Sequence, residues 1–127
     1  MEPGPRILIV DDSEFIRTML VSMLHGIGIR NISQAEDGLD ALGQIRLDLF
    51  DIVLLDMIMP RMGGLELLRV IRAEPQFDYI KVIIVTSAAG AKVILAAKNY
   101  ETRADAVIVK PFSSRTLQNK IIRVMTI

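Results

Sequence analysis

Five short apolar runs, separated by stretches with helical periodicity, constrain the fold of this chain more than any other feature. Four of them are nearly continuous and rich in β-branched residues, which is typical of strands buried on both faces in a parallel sheet. The second run mixes polar and apolar residues, so we expect it to lie at an edge of the sheet. The runs cover residues 7–10, 32–35, 52–55, 82–85 and 106–109.

The first stretch between these runs has the period of an amphipathic helix. Asp12 or Ser13 is expected to cap its start, and Gly26 and Gly28 are expected to end it. We predict that the following side chains face the core: Phe15, Ile16, Met19, Leu20, Met23 and Leu24.

Four further helices are predicted after the other runs. They cover residues 38–46, residues 65–73 with a stop near Pro75, a segment within 91–99, and residues 114 to about 124. Ser113 or Ser114 is expected to cap the last of them. The side chains predicted to face inward are Leu39, Leu42, Ile45, Leu65, Leu68, Ile71, Leu117, Ile121 and Val124.

Strands that alternate with helices in this way predict an α/β protein with a doubly wound, five-stranded parallel sheet. A chain of 127 residues with 51% hydrophobic residues can bury one sizeable core. There is no cysteine, so neither disulfides nor cysteine metal sites are possible. The formal net charge of zero argues against direct nucleic-acid binding, and neither a secretory signal nor an apolar run of membrane-spanning length occurs. We therefore expect a cytoplasmic protein.

Chemically active residues follow four of the strands at the point where each strand ends. Asp11 and Asp12 follow the first run, Asp56 the third, Thr86 the fourth and Lys110 the fifth. Each has an ordinary structural reading when taken alone, such as a helix cap for Asp12 or a solvated side chain for Lys110. Because ligands of parallel sheets bind beyond the carboxyl ends of the strands, the joint occurrence indicates a functional site.

Three carboxylates in one crevice would raise one another's pKa values, and a divalent cation together with Lys110 would offset the repulsion. Oxygen donors without histidine or cysteine favour Mg²⁺ or Mn²⁺. A carboxylate beside such a cation, an ammonium group and a hydroxyl is suited to accept a phosphoryl group as an acyl phosphate. The residues therefore predict phosphoryl chemistry at Asp56.

Several motifs resemble the receiver domain of two-component response regulators, particularly the single-domain chemotaxis type. They are VDDSEFIR, AEDGLDAL, LLDMIMPRMGGLELLRVIR, VIIVTS and VIVKPF, and together they extend the resemblance over essentially the whole chain. The resemblance implies the flavodoxin-like (βα)5 receiver fold with strand order 2-1-3-4-5. It also implies one receiver domain over residues 1–127 without an output domain.

The resemblance further implies a role for each residue of the site. Asp12 would contact the metal directly and Asp11 through water, with Asp56 and the backbone carbonyl of Ile58 completing the protein ligands.

Asp56 would be the phospho-acceptor, while Thr86 and Lys110 would bind oxygens of the incoming phosphoryl group. The donor would be a histidine kinase or a histidine phosphotransfer protein. Phosphorylation would then change the binding of a downstream protein, and the receiver would itself catalyse both the phosphorylation and the dephosphorylation of its aspartate.

This chain departs from the family pattern in informative places. Val107 stands where a tyrosine or phenylalanine usually precedes the lysine, and a valine cannot swing as a ring does. Gly63 replaces a common aspartate, and Arg103 a common glycine. Ile58 and Ala88 flank the route of an attacking water, and neither side chain can orient it, which predicts slow to moderate autodephosphorylation.

Two other functions remain open on these residues. Val107 leaves room for a pseudo-receiver, an interaction module that has lost phosphotransfer, although the intact acids, threonine and lysine oppose it. A haloacid-dehalogenase-like phosphatase would need a second acid at Ile58, so we regard it as the weaker alternative.

The resemblance also implies that the surface formed by the fourth helix, fifth strand and fifth helix binds a partner or forms a weak dimer of an otherwise monomeric protein. The exposed residues proposed for it are Lys98, Tyr100, Arg103, Gln118 and Asn119.

Overall fold

The five apolar runs form one parallel sheet with the strand order β2-β1-β3-β4-β5, as predicted. The computed structural model describes residues 4–97 and 103–126. The strands are β1 (Ile7–Val10), β2 (Ile32–Ala35), β3 (Ile52–Leu55), β4 (Lys81–Thr86) and β5 (Ala106–Val109). The helices are α1 (Glu14–Gly26), α2 (Gly38–Leu47), α3 (Gly64–Ala73), α4 (Ala88–Ala96) and α5 (Ser114–Met125), with a 3₁₀ turn at Pro75–Phe77.

Helices cover both faces of the sheet, which explains the continuous apolar runs. Every residue of β1 and β3 is buried, and alternate side chains of these strands enter opposite core layers. One layer packs against α2, α3 and α4, and the other against α1 and α5. The mixed β2 lies at the edge of the sheet and is only partly buried, as its sequence predicts.

Polar side chains fix the starts of four helices. Ser13, Asp37, Ser87 and Ser113 each accept a hydrogen bond from a backbone N–H of the first turn. The cap at Ser87 starts α4 three residues before the start of the predicted segment, 91–99. Residues 98 and 99 of that segment lie outside the described residues.

Two residues predicted to face the core are exposed instead. Phe15 is 77% exposed because the inward face of α1 is formed by Ile16, Leu20 and Leu24, and Phe15 lies to one side of that face. Leu39 is 53% exposed because the inward face of α2 is formed by small residues, Gly38 and Ala41, together with Ile45. A Cβ atom at Gly38 would come within 2.6 Å of Met62, so only a glycine allows α2 this approach.

A buried arginine links α3 to the start of β5. The Arg72 side chain donates to the carbonyl of Ile80 at 3.0 Å and to the carboxylate of Asp105 at 3.0 Å. Asp105 also accepts the backbone N–H of Val82 at 2.8 Å. None of the helices in the described ranges is long and apolar enough to cross a membrane.

Candidate functional site

The register of the central strands brings the predicted acids together. Val10 of β1 lies opposite Leu55 of β3, so the next residues, Asp11 and Asp56, emerge side by side from the sheet. One carboxylate oxygen from each of Asp11, Asp12 and Asp56 lies within 4.8 Å of the other two. Asp11 and Asp56 are buried, whereas Asp12 is exposed. The cluster is thus anchored in the core and open to solvent on one side.

Thr86 connects the fourth strand to this cluster. Its hydroxyl is fully buried and donates a hydrogen bond of 2.6 Å to Oδ1 of Asp56. The backbone N–H of Met57 lies 3.4 Å from the same hydroxyl oxygen. The last residue of β4 is therefore in direct contact with the predicted acceptor.

Lys110 supplies the cation of the site. Its Nζ lies 2.9 Å from Oδ2 of Asp11 and 3.9 Å from Oδ2 of Asp56. The backbone N–H of Lys110 donates to the carbonyl of Thr86 at 2.8 Å, which extends the pairing of β4 and β5 to the site. The ammonium group thus bridges the two buried carboxylates.

Burial raises the pKa of Asp56 above its ordinary value of 3.8. The hydrogen bond from Thr86 and the charge of Lys110 oppose this shift, as does the N–H of Ile58, while the charge of Asp11 adds to it. The net direction shows that the contacts of the protein do not fully compensate the cost of burying this charge. A cation beside Asp56 would supply further compensation.

The donor set fits a hard divalent cation. Three carboxylates converge here, and an exposed Asp12 leaves a path by which a hydrated ion could enter. Mg²⁺ takes few protein ligands and keeps several waters, so two or three oxygens from one side of a crevice suffice. The residues present therefore match the chemistry of Mg²⁺.

The loop between β3 and α3 is attached to the start of α2 by contacts that the sequence did not reveal. Arg61 has φ of 61°, a left-handed conformation that is rare for residues with a side chain. Its guanidinium group pairs with the buried Asp37 and, at 3.2 Å, with Glu36. The N–H of Gly38 donates to the carbonyl of Met62 at 2.9 Å. A sequence feature that could have pointed to Asp37 is its position immediately before the predicted helix 38–46, where an aspartate is a favourable N-cap.

The positions that depart from the family pattern have distinct environments. Val107 is half-buried against the core layer of α2, α3 and α4 and lies opposite Ile84 of β4. Gly63 occupies the N-cap position of α3 without a side-chain hydrogen bond. Ile58 is 52% exposed, and Ala88 is an exposed residue at the start of α4.

Of the residues proposed for a partner surface, Arg103, Gln118 and Asn119 are exposed. Lys98 and Tyr100 lie outside the described residues.

Comparisons with known proteins agree with this architecture. Residues 7–122 match the family model of the response regulator receiver domain. The chain is 36% identical over 116 residues to chemotaxis protein CheY-3 of Vibrio cholerae, covering 91% of this chain and 88% of the relative. It is 34% identical over 116 residues to chemotaxis protein CheY of Pseudomonas aeruginosa, covering 91% and 92%.

A solved structure of the response regulator TrrA from Thermotoga maritima, in complex with Mg²⁺ and BeF, superimposes with a TM-score of 0.81. The two sequences are 31% identical, and the match covers 95% of this chain and 99% of the other.

The chain belongs to the response regulator receiver domain family. The similarity to chemotaxis proteins places it among receivers of the chemotaxis type. Receiver domains of this family are phosphorylation switches that bind Mg²⁺ at an acidic pocket and interact with histidine kinases or phosphotransfer proteins.

Proposed function

We propose that this protein is an active receiver whose Asp56 accepts a phosphoryl group in the presence of Mg²⁺ or Mn²⁺. The main observation that supports this proposal is that one carboxylate lies close to both a hydroxyl and an ammonium group. Oδ1 of Asp56 accepts from Thr86 at 2.6 Å, and Oδ2 lies 3.9 Å from Lys110. A pseudo-receiver would not need these three groups to converge on one another.

The proposed metal ligands are the carboxylates of Asp12 and Asp56 and the backbone carbonyl of Ile58, with Asp11 acting through water. When bound, the cation would neutralise charge on the phosphoryl oxygens. Asp11 is also the direct partner of Lys110 at 2.9 Å, so it holds the lysine in place beside Asp56. This second role is independent of the metal.

The proposed reaction is an in-line displacement. A carboxylate oxygen of Asp56 attacks the phosphorus of a phosphohistidine, an O–P bond forms, the P–N bond breaks, and the released imidazole nitrogen takes up a proton. Thr86 and Lys110 are placed to donate to phosphoryl oxygens whose charge grows in the transition state. Water later attacks the phosphorus and restores the carboxylate with release of inorganic phosphate.

The proposed donor is a histidine kinase or a histidine phosphotransfer protein, and we expect the exchange to take place in the cytoplasm. Residues 1–127 would act as one receiver domain whose output is a change in protein binding. The proposed partner surface, or weak dimer face, consists of α4, β5 and α5. No direct contact with nucleic acid or membrane is expected.

Intact mass measurement after incubation with acetyl phosphate and Mg²⁺ tests the central proposal. We expect the wild-type protein to gain the mass of one phosphoryl group and Asp56→Asn to gain none. Asp51→Asn is a suitable control because this aspartate precedes the same strand at the opposite end. Absence of a gain in the wild-type protein with small-molecule and phosphohistidine donors would instead support a pseudo-receiver.

A further inference from the structure

The first turn of α4 packs directly on Thr86 at a glycine. A Cβ atom at position 90 would overlap the hydroxyl oxygen of Thr86 and lie 3.0 Å from both its Cβ and its Cγ2. Gly90 is buried and lies within the helix, where a glycine is less favourable than alanine. Its presence therefore requires a reason, and the close approach to Thr86 is that reason.

The contact leaves Thr86 little freedom. Its hydroxyl already bonds Asp56 at 2.6 Å, and the residue has no exposed surface. The other side of the contact is also fixed, because Ser87 accepts the N–H of Gly90 at 3.2 Å and caps the helix. A side chain at position 90 would have to rotate the hydroxyl away from Asp56 or lift α4 from the sheet.

The environment of Val107 makes this contact more important. In β5 the half-buried Val107 has a short, stiff side chain, so it cannot follow a movement of Thr86 as a ring would. The contact between Gly90 and Thr86, in contrast, joins the site to α4 with no intervening residue.

We propose that Gly90 is a positioning residue for phosphoryl transfer. By lacking a side chain, it lets α4 seat on Thr86 and hold the hydroxyl on the reacting carboxylate. This inference rests on the proposed function, since it assigns Thr86 a part in the transfer.

The test measures the rate of phosphorylation by acetyl phosphate for Gly90→Ala in two backgrounds, wild type and Thr86→Ala. In the wild-type background we expect the phosphorylation rate to fall at least about tenfold. Losses of this size are common when a hydrogen-bond donor is displaced from an atom whose charge grows in the transition state. In the Thr86→Ala background the hydroxyl is already absent, so Gly90→Ala should change the rate by less than about twofold. A general disturbance of α4 would lower the rate equally in both backgrounds.

A matched glycine provides the control. Gly43 lies within α2, and a Cβ atom there would meet nothing within 4 Å. Gly43→Ala should therefore leave the phosphorylation rate unchanged. The Mg²⁺ dissociation constant of Gly90→Ala, measured by calorimetry, should remain within about twofold of the wild-type value because the atoms nearest to a Cβ at position 90 belong to Thr86, which is not a proposed ligand.

Each result decides a separate question. Equal losses in both backgrounds, or no loss in either, would overturn the role of Gly90 while leaving phosphorylation of Asp56 intact. If the wild-type protein itself accepts no phosphoryl group, the proposed function fails and the role of Gly90 fails with it. Circular dichroism of each variant establishes that it is folded, and if Gly90→Ala alone is unfolded, recovery of the fold in Thr86→Ala/Gly90→Ala would support the direct contact.

Discussion

The burial of Asp56 has two opposite effects on this single residue. The central strand buries it to 8% exposure, which fixes its position, but burial also disfavours its charge. Thr86 and Lys110 offset part of that cost, and the pKa remains raised. Asp56 therefore lowers the stability of the metal-free protein at neutral pH, as residues held for function frequently do.

Asp56→Asn is expected to stabilise the metal-free protein at pH 7. Because the native pKa is raised, the native state binds more protons than the unfolded state between the two pKa values. The stability contributed by this group is thus present below the unfolded value of 3.8 and is lost as pH rises through the native value. An amide has no charge to bury, so the free energy of unfolding at pH 7 should be higher in Asp56→Asn than in the wild-type protein.

Urea unfolding in EDTA at pH 7 and near pH 3 measures this effect. The gain should vanish at the lower pH, where the carboxyl group is protonated in both states. Asp78→Asn, at an exposed carboxylate, is the control and should change stability by less than about 0.5 kcal/mol at either pH. A gain in Asp56→Asn that does not depend on pH would contradict the electrostatic explanation.

We further predict that Ile58 would limit the attack of water on the proposed acyl phosphate of Asp56. Its half-exposed side chain lies two residues after the acceptor and has no group that could orient a water. Ile58→Asn should accelerate decay of the phosphorylated protein by about tenfold, below the usual range for a full general base. Decay is followed by loss of the phosphoryl mass after removal of the donor.

Ile58→Leu keeps an apolar side chain and should decay at the wild-type rate. An unchanged or slower decay in Ile58→Asn would show that this position does not limit access of water.

Contacts between loops hold the site together at the level of elements. The β3–α3 loop carries the carbonyl of Ile58, and it is attached to the start of α2 through Arg61 and the buried Asp37. The left-handed backbone of Arg61 costs roughly 1 kcal/mol for any residue with a Cβ atom. The ion pair with Asp37 offsets this cost, which explains why an arginine occupies a position suited to glycine.

Comparison of Arg61→Ala with Arg61→Gly separates the two contributions. Arg61→Ala loses the ion pair and keeps the backbone strain, so the free energy of unfolding should fall by about 2 kcal/mol. Arg61→Gly loses the same pair but relieves the strain, so its loss should be smaller by about 1 kcal/mol. Both are measured by urea unfolding.

Arg69→Ala serves as the control for an exposed arginine on the neighbouring helix and should change stability by less than about 0.5 kcal/mol. Equal losses in the alanine and glycine variants would mean that the loop relaxes and that position 61 carries no strain.

At the level of the whole molecule, the proposed binding of Mg²⁺ would couple the ends of β1 and β3 to the global free energy of unfolding. A ligand at ten times its dissociation constant stabilises the native state by about 1.4 kcal/mol. For a domain of this size, we expect the melting temperature to rise by roughly 5 °C under those conditions. Mn²⁺ should act similarly because it prefers the same oxygen donors.

Asp12→Ala tests whether the shift arises at the proposed site. The residue is exposed, so its loss should change the melting temperature little in EDTA. In Mg²⁺ the variant should lose most of the shift seen in the wild-type protein. A shift of equal size in Asp12→Ala would place the bound cation elsewhere.

The sequence was sufficient to predict the strands, their parallel arrangement and the convergence of the candidate site residues at one edge of the sheet. Apolar runs of strand length that alternate with helical periods allow little else, and residues that follow parallel strands meet at one edge for topological reasons. The prediction from helical periodicity that Phe15 and Leu39 face the core was wrong, because both are exposed. Both lie in first turns, to one side of the face that the buried residues of the helix form.

The contacts that join distant segments follow from the packing of the folded chain and were not predicted. The pairs Arg61–Asp37 and Arg72–Asp105 connect residues 24 and 33 positions apart, and neither periodicity nor spacing predicts such partners. The packing of α4 against Thr86 was not predicted either. Ser87 caps α4, so the helix begins before the predicted segment and includes Gly90, which contacts the hydroxyl of Thr86. Local patterns report which face of an element is apolar, whereas the approach of two backbones depends on packing across the whole fold.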